Sequence, residues 1–368
     1  MKNILKQFLL FTITISIFSC DDELDIPLST LTTDDVVPSV NLVEKLVVGT
    51  YAGLEMRREA AASNWAFGGA ASDDAYKGSD PGDQSEITQM EVYDVLPNNN
   101  YVRLRWNNLY EGIARANAAI GVVNSDLESG AVGENDANTA LGELRFLRGF
   151  FHFQLKMTYG NIPYIDENTT ETPANTSDVW PNIEDDFQFA IDNLDVEAKR
   201  YGGATQWNSK AYLAKVHMYQ LDYTAAKPLL DDIINNGPYD LMPSFHQNFN
   251  YAYNNNIETV FSVQYAVNDG AGSGQGNGNE GDELNYPHSA SPFGCCGFYQ
   301  PTHDLVNAYL TDANGLPLTT PPSDPANYVS NVDPNDIVGG APRNVPVEDP
   351  VAGTSIFPEE TRNLDPRL

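Results

Sequence analysis

The sequence predicts a mostly α fold: helical pairs form a scaffold over about residues 41–238, and an irregular, loop-rich region containing short strands follows over 239–368. Three observations carry that reading. Apolar residues recur at helical period from Val43 to Ile233, breaks rich in Gly, Pro and Asn separate those runs, and beyond residue 240 the period gives way to a single alternating stretch.

Residues 1–19 read as an export leader, with Lys2 and Lys6 as a basic start and Phe8 to Phe18 as a short apolar core. A transmembrane helix needs about 20 apolar residues, and Thr12, Thr14 and Ser16 interrupt this shorter run. The leader stops at Ser19-Cys20, and Asp21, Asp22 and Glu23 follow. This pattern looks like a lipobox, with Cys20 as the lipid attachment site and residues 20–40 as an exposed tether.

Val43, Leu46, Val47, Thr50, Tyr51 and Leu54 define a first amphipathic helix over 41–58. About 60–100 is rich in Ala, Gly, Ser, Asp and Asn and reads as a long loop insertion, a kind of segment that is usually functional or disordered. A second helix, about 102–123, places Trp106, Leu109, Tyr110, Ile113 and Ile120 on one side. The third, about 137–158, carries two apolar stripes: Leu144, Leu147, Phe151 and Leu155, and Phe146, Phe150, Phe153 and Met157. Such a helix must be packed on two sides, as in a stacked array, and left-handed Gly160 followed by Pro163 ends it.

A fourth helix starts near Ser177-Asp178 with Pro181 in its first turn; Thr205 caps a fifth, and Asn236-Gly237-Pro238 ends a sixth. That last pair resembles a tetratricopeptide repeat: Leu213-Ala214, Ala226, Leu230 and Pro238 fit its signature, whereas Lys210 and His217 occupy its usual Trp and Tyr positions. Further on, Glu258 to Tyr265 alternates as a strand, Asn268 to Gly281 is a flexible loop, and a short helix lies at about 302–310.

The formal net charge of −31 argues against nucleic acid and anionic membrane surfaces as partners, because a strongly acidic field repels both. No Gly-x-Ser-x-Gly elbow, His-Glu-x-x-His or phosphate loop occurs, and no cofactor motif is present. With 51 acids, carboxylate neighbours such as Asp73-Asp74 or Glu184-Asp185-Asp186 read as solvated loop or helix faces rather than as a catalytic pair. One weak metal candidate exists, in which His288 and His303 each stand seven residues from a member of the pair Cys295-Cys296. Adjacent cysteines rarely both reach one tetrahedral zinc, so free thiols or a vicinal disulfide are the preferred reading.

Trp106-Asn107-Asn108-Leu109-Tyr110 with Ile113 and Asn117, then Glu143-Leu144-Arg145-Phe146-Leu147-Arg148-Gly149-Phe150, then Tyr159-Gly160-Asn161-Ile162-Pro163, resemble the SusD/RagB family of Bacteroidetes surface lipoproteins. Lys210 to Val216, Glu258 to Phe261 and the closing Leu364 to Leu368 fit the same family in the same order. The resemblance implies a tetratricopeptide-like scaffold whose irregular second region holds the ligand. It also implies an outer-membrane, surface-exposed location and a SusC-like TonB-dependent transporter that receives captured oligosaccharides. Members usually continue past the Asp-Pro-Arg-Leu motif, so the family pattern implies a chain lacking its C-terminal part.

For a sugar ligand, rings stack their apolar faces on aromatics while hydroxyls bond at a polar rim. The candidates outside the helical stripes are Trp65, Tyr76, Tyr286, Phe298 and Tyr299, with Asp73, Asp74 and Gln300 as polar neighbours, while Trp106, Phe146, Phe150 and Phe153 belong to the core. The leading expectation is glycan capture without catalysis. Capture of peptides or another nutrient, a protein-only helical scaffold and a surface glycosidase are the competing classes, because fold does not fix function.

Overall fold

The computed structural model describes residues 38–54, 65–79, 82–171, 173–264, 297–318, 337–338 and 341–342. Cys20, Tyr286, His288, Cys295 and Cys296 lie outside them, as does the closing Asp-Pro-Arg-Leu motif. Five long helices and a sixth that precedes them form the scaffold. These are α1 (Val40–Tyr51), then, after a short α2 (Ser85–Glu91), α3 (Asn100–Glu128), α4 (Glu134–Tyr159), α5 (Trp180–Asn193), α6 (Gln206–Tyr219) and α7 (Tyr223–Asn236). From α3 onward each packs on the next, and α1 lies across α3 and α4.

Local chemistry sets the helix starts. Ser39 Oγ accepts the Leu42 N–H at 3.3 Å, Asn99 Oδ1 accepts that of Val102 at 3.2 Å, and Thr205 with Asn208 closes a reciprocal capping box on α6. Helix α5 begins at Trp180, two residues beyond Asp178, whose carboxylate accepts the Trp180 N–H, and Pro181 sits in the first turn.

Helix α4 is packed on two sides as its stripes require: Leu144, Leu147, Phe151 and Leu155 on one, Phe146 and Phe153 on the other, all fully buried. Met157 departs from the stripe and is 38% exposed. Close approach of α3 and α4 depends on Gly112, where a Cβ would fall 2.6 Å from the Phe151 ring. At the end of α4, Gly160 has φ 72° and ψ −86°; the positive φ is as expected, but the ψ lies outside the left-handed helical basin.

Two sequence expectations are corrected. The alternation at Glu258–Gln264 is not a strand. Phe261 and Val263 pack against the helical core while Ser262 and Gln264 bond Asn255, so an extended segment is held by side chains on both flanks without a ladder partner. The second concerns Asp186, which is not a solvated carboxylate but completely buried. Arg148 grips it with Nε at 2.9 Å and Nη2 at 2.7 Å, and Arg145 Nε and the Tyr164 hydroxyl each donate at 2.8 Å. The cause is three-residue spacing on α4, which points both arginines at the same turn of α5.

The insertion is more ordered than a loop. It contains a π-helical turn (Trp65–Gly69), β1 (Ala75–Gly78) and α2, resting on a small core of Ala66, Ala70, Ile87, Met90 and Tyr101. Strand β1 pairs antiparallel with β2 (Phe298–Pro301), after which α8 (His303–Ala308) follows; β3 (Ile337–Val338) and β4 (Ala341–Pro342) form a second short ribbon. No helix of the described residues is long and apolar enough to cross a membrane.

Candidate functional site

The pairing of β1 with β2 joins segments more than two hundred residues apart. Ala75 faces Pro301, Tyr76 faces Gln300 and Gly78 faces Phe298. Backbone bonds extend the ladder at both ends, from Ser79 N to Gly297 O and from Thr302 N to Asp74 O, each at 3.0 Å, and the Thr302 hydroxyl donates to Asp73 O. Gly78 must be glycine, because φ is +74° and a Cβ would strike Gly297 O.

This ladder delivers Phe298 and Tyr299 to Trp65. The Trp65 ring lies 5.4 Å from Phe298 at 48° and 6.2 Å from Tyr299 at 65°, both within the range of favourable aromatic pairs. Phe298 is buried and Trp65 half-buried, whereas Tyr299 is 37% exposed. The ring of Tyr299 passes directly over Gly69, at which a Cβ would come 2.8 Å from Cζ. Its backbone has φ +59°, a conformation that costs a bulky residue about 1–3 kcal/mol and that the surrounding ladder must hold.

Beneath the rings, Lys77 is buried: its N–H donates to Glu91 Oε2 at 3.2 Å, its Nζ to Asp83 O at 2.6 Å, and Nζ lies 5.6 Å from the Phe298 centroid. Burial, then the charges of Asp304 and Glu91, push the Tyr76 phenol up to about 12, so it remains a neutral donor at any working pH. Asp73, Asp74 and Gln300 are exposed at the rim, with Gln300 Nε2 bonded to Gly297 O at 3.1 Å. Arg105 ties the platform to the scaffold, since its guanidinium lies 4.9 Å from the Phe67 centroid and donates to Thr158 and Gln154 of α4.

Seven of the eight sequence candidates lie on or beside this ribbon: Trp65, Asp73, Asp74, Tyr76, Phe298, Tyr299 and Gln300. Tyr286 lies outside the described residues. So do three members of the metal candidate, while His303 is described by its backbone alone, at the start of α8. Lys77, Phe67 and Glu91 complete the platform and carried no motif; the alternating burial of β1 was too short to single them out. Two clefts in the scaffold, of about 310 and 390 Å³, are lined in part by cations already held in ion pairs, Arg145 and Arg148 with Asp186 and Glu167 in one and Arg200 with Glu143 and Glu44 in the other.

The architecture is thus a stack of tetratricopeptide-like helical pairs carrying an aromatic platform on an inserted ribbon. The chain belongs to the SusD-like family, whose model, described as starch-binding and associating with outer membrane, matches residues 25–218, just over half of the sequence. A SusD-like protein of Bacteroides ovatus is 28% identical over 177 residues, covering 44% of this chain and 32% of that protein. Among solved structures, a laminarin-binding SusD-like protein matches with TM-score 0.65 at 21% identity, covering 74% of this chain and 64% of that one. Surface glycan-binding protein A of Bacteroides thetaiotaomicron, in complex with laminarihexaose, matches with TM-score 0.53 at 20% identity, over 74% and 54%. The chain spans about a third to a half of the length of the curated relatives it matches.

Proposed function

We propose that this chain is a surface lipoprotein, anchored through Cys20 to the outer membrane, that captures oligosaccharides on the Trp65–Tyr76–Phe298–Tyr299 platform without cleaving them. It hands them to a SusC-like TonB-dependent transporter. The observation that carries the reading is that one ribbon brings an exposed Tyr299 against a half-buried Trp65 with exposed Gln300, Asp73 and Asp74 beside it, the mixture of ring faces and rim groups that a sugar requires. Family membership supports the same class of ligand, as do two similar structures, one of a laminarin-binding protein and one in complex with laminarihexaose.

Calorimetry of the soluble form starting after Cys20 against a glycan panel tests it. Saturable binding to one polysaccharide is expected, weakened by Tyr299→Ala by about 2 kcal/mol, roughly thirtyfold in Kd, as for a central aromatic contact. Absence of binding by folded protein across the panel overturns the reading in favour of peptide cargo or a protein-only scaffold. Cys20→Ala is expected to leave the protein unlipidated, and recovery of the transporter on the tagged lipoprotein checks the partner.

A further inference from the structure

We infer that the platform discriminates by charge, accepting neutral oligosaccharides and rejecting those that carry uronate or sulfate groups. This rests on the glycan-binding reading above and narrows it. The two segments that build the site, 65–102 and 297–318, contain nine Asp and Glu and a single basic residue, Lys77, whereas the whole chain has 51 acids to 20 basic residues. Among the described residues, these two segments are therefore short of cations, and the arginines that follow them on α3 do not make up the deficit.

The positions of these groups sharpen the point. Asp73 and Asp74 are exposed directly beside the ladder, Asp304 and Glu91 act on Tyr76, and Asp312 follows in the same segment. Lys77 cannot answer a ligand's anion, because it is 3% exposed with Nζ already donating to Asp83 O beneath Phe298. Of the described arginines, the one packed against the platform is no better placed. Arg105 is 3% exposed, held by Thr158 and Gln154 and covered by Phe67, so even its unpartnered Nη1 has no opening toward a ligand. Arg103, bonded to Asn100, lies about 200° round α3 from Tyr101, away from the platform core.

An anionic sugar seated on Tyr299 would meet the exposed Asp73 and Asp74 beside the ladder and, among the described residues, no cation open to it. Repulsion of this kind is how a surface rejects a competitor without improving its contacts to the favoured ligand. Salt relieves it, because screening between exposed charges acts over about 10 Å at 0.1 M.

The test compares a neutral polysaccharide with its own charged derivative, so linkage and shape stay fixed. Of laminarin, xyloglucan and soluble starch, the tightest binder and its sulfated derivative are titrated by calorimetry into the full soluble form at 20 mM and 500 mM salt. The expected result is at least tenfold weaker binding of the sulfated form at low salt, with the ratio shrinking at high salt and in Asp73→Asn/Asp74→Asn. Sulfated polysaccharide binding as tightly as the parent, or more tightly, overturns the charge selection and leaves glycan capture standing. Binding of neither by folded protein overturns both.

Discussion

At the scale of single residues, the family-like motif residues prove to be mostly architectural. Arg145, Arg148 and Asn117 belong to the motifs by their order in the sequence, and in space Arg148 bridges Asp186, Glu167 and Asn117 while Asn117 itself donates to Ile165 O at 3.0 Å. Burial by itself would raise the Asp186 carboxyl, but Arg148 and then Arg145 hold it below the ordinary carboxylate range. Removing one member of a buried ion pair strands the other, so Asp186→Asn is expected to cost about 3–5 kcal/mol in urea unfolding. His152 adds a pH dependence. Its Nδ1–H donates to Arg148 O and its Nε2 accepts the Ile165 N–H, both at 3.1 Å, which only the neutral ring can do. Burial pushes its pKa down to about 4, against an ordinary value near 6.5. Between those values the unfolded chain takes up a proton that the folded chain does not, so this contribution is full above pH 6.5 and falls as pH drops toward 4, by on the order of 3 kcal/mol. Denaturation at pH 7 and pH 5 should show the fall in the parent chain and a flatter profile in His152→Gln; equal slopes would contradict it. None of this was legible beforehand, because a sequence shows that acids are abundant but not which one faces two arginines.

At the scale of elements, the helices were legible and the ribbon was not. One long apolar side announces α3 and two stripes announce α4 locally, and Thr205 announces α6 by its capping chemistry. Strand β1 has four residues and a partner more than two hundred positions away, so no local pattern distinguishes it, while the stronger alternation at 258–264 finds no ladder. The residues singled out as site candidates still came together on the ribbon, since aromatics outside the helical stripes have few other places to pack. Its dependence on the π-helical turn yields a prediction at this level. Gly69→Ala puts a methyl group where the Tyr299 ring lies, so the ring must turn away from Trp65. Affinity for the bound glycan is expected to drop about tenfold, a loss of about 1.4 kcal/mol. The scaffold's melting temperature should move by only about 2–4 °C, because the substitution touches none of the large helical core. An unchanged affinity would show that Tyr299 does not contact the ligand.

At the scale of the whole molecule, the site and the scaffold are stabilised unequally. The scaffold's core runs from Leu109 and Ile113 through the α4 phenylalanines to Ile183, Phe187 and Val216, and α1 is tied to it by Glu143, which accepts from Tyr51 at 2.8 Å and from Arg200 twice at 2.9 Å. The platform rests instead on five buried residues and one four-residue ladder, joined to the scaffold chiefly through Tyr101, Val102 and Arg105. Local opening follows the local density of buried contacts, so the free energy of exposing 65–91 and 297–302 must lie well below that of α3–α5. Hydrogen exchange followed by mass spectrometry is expected to find fast exchange in the two site segments and slow exchange in peptides from α3, α4 and α5. A ligand at a hundred times its Kd stabilises the state that binds it by about 2.7 kcal/mol. Because that state needs the ladder closed and Tyr299 held at its positive φ, protection should rise in 65–79 and 297–302 and stay constant in α3–α5, whose opening the ligand does not report. Protection that instead rises around Arg200, Tyr239 and Phe261, the cleft between the scaffold and the following segment, would move the binding site there and away from the ribbon.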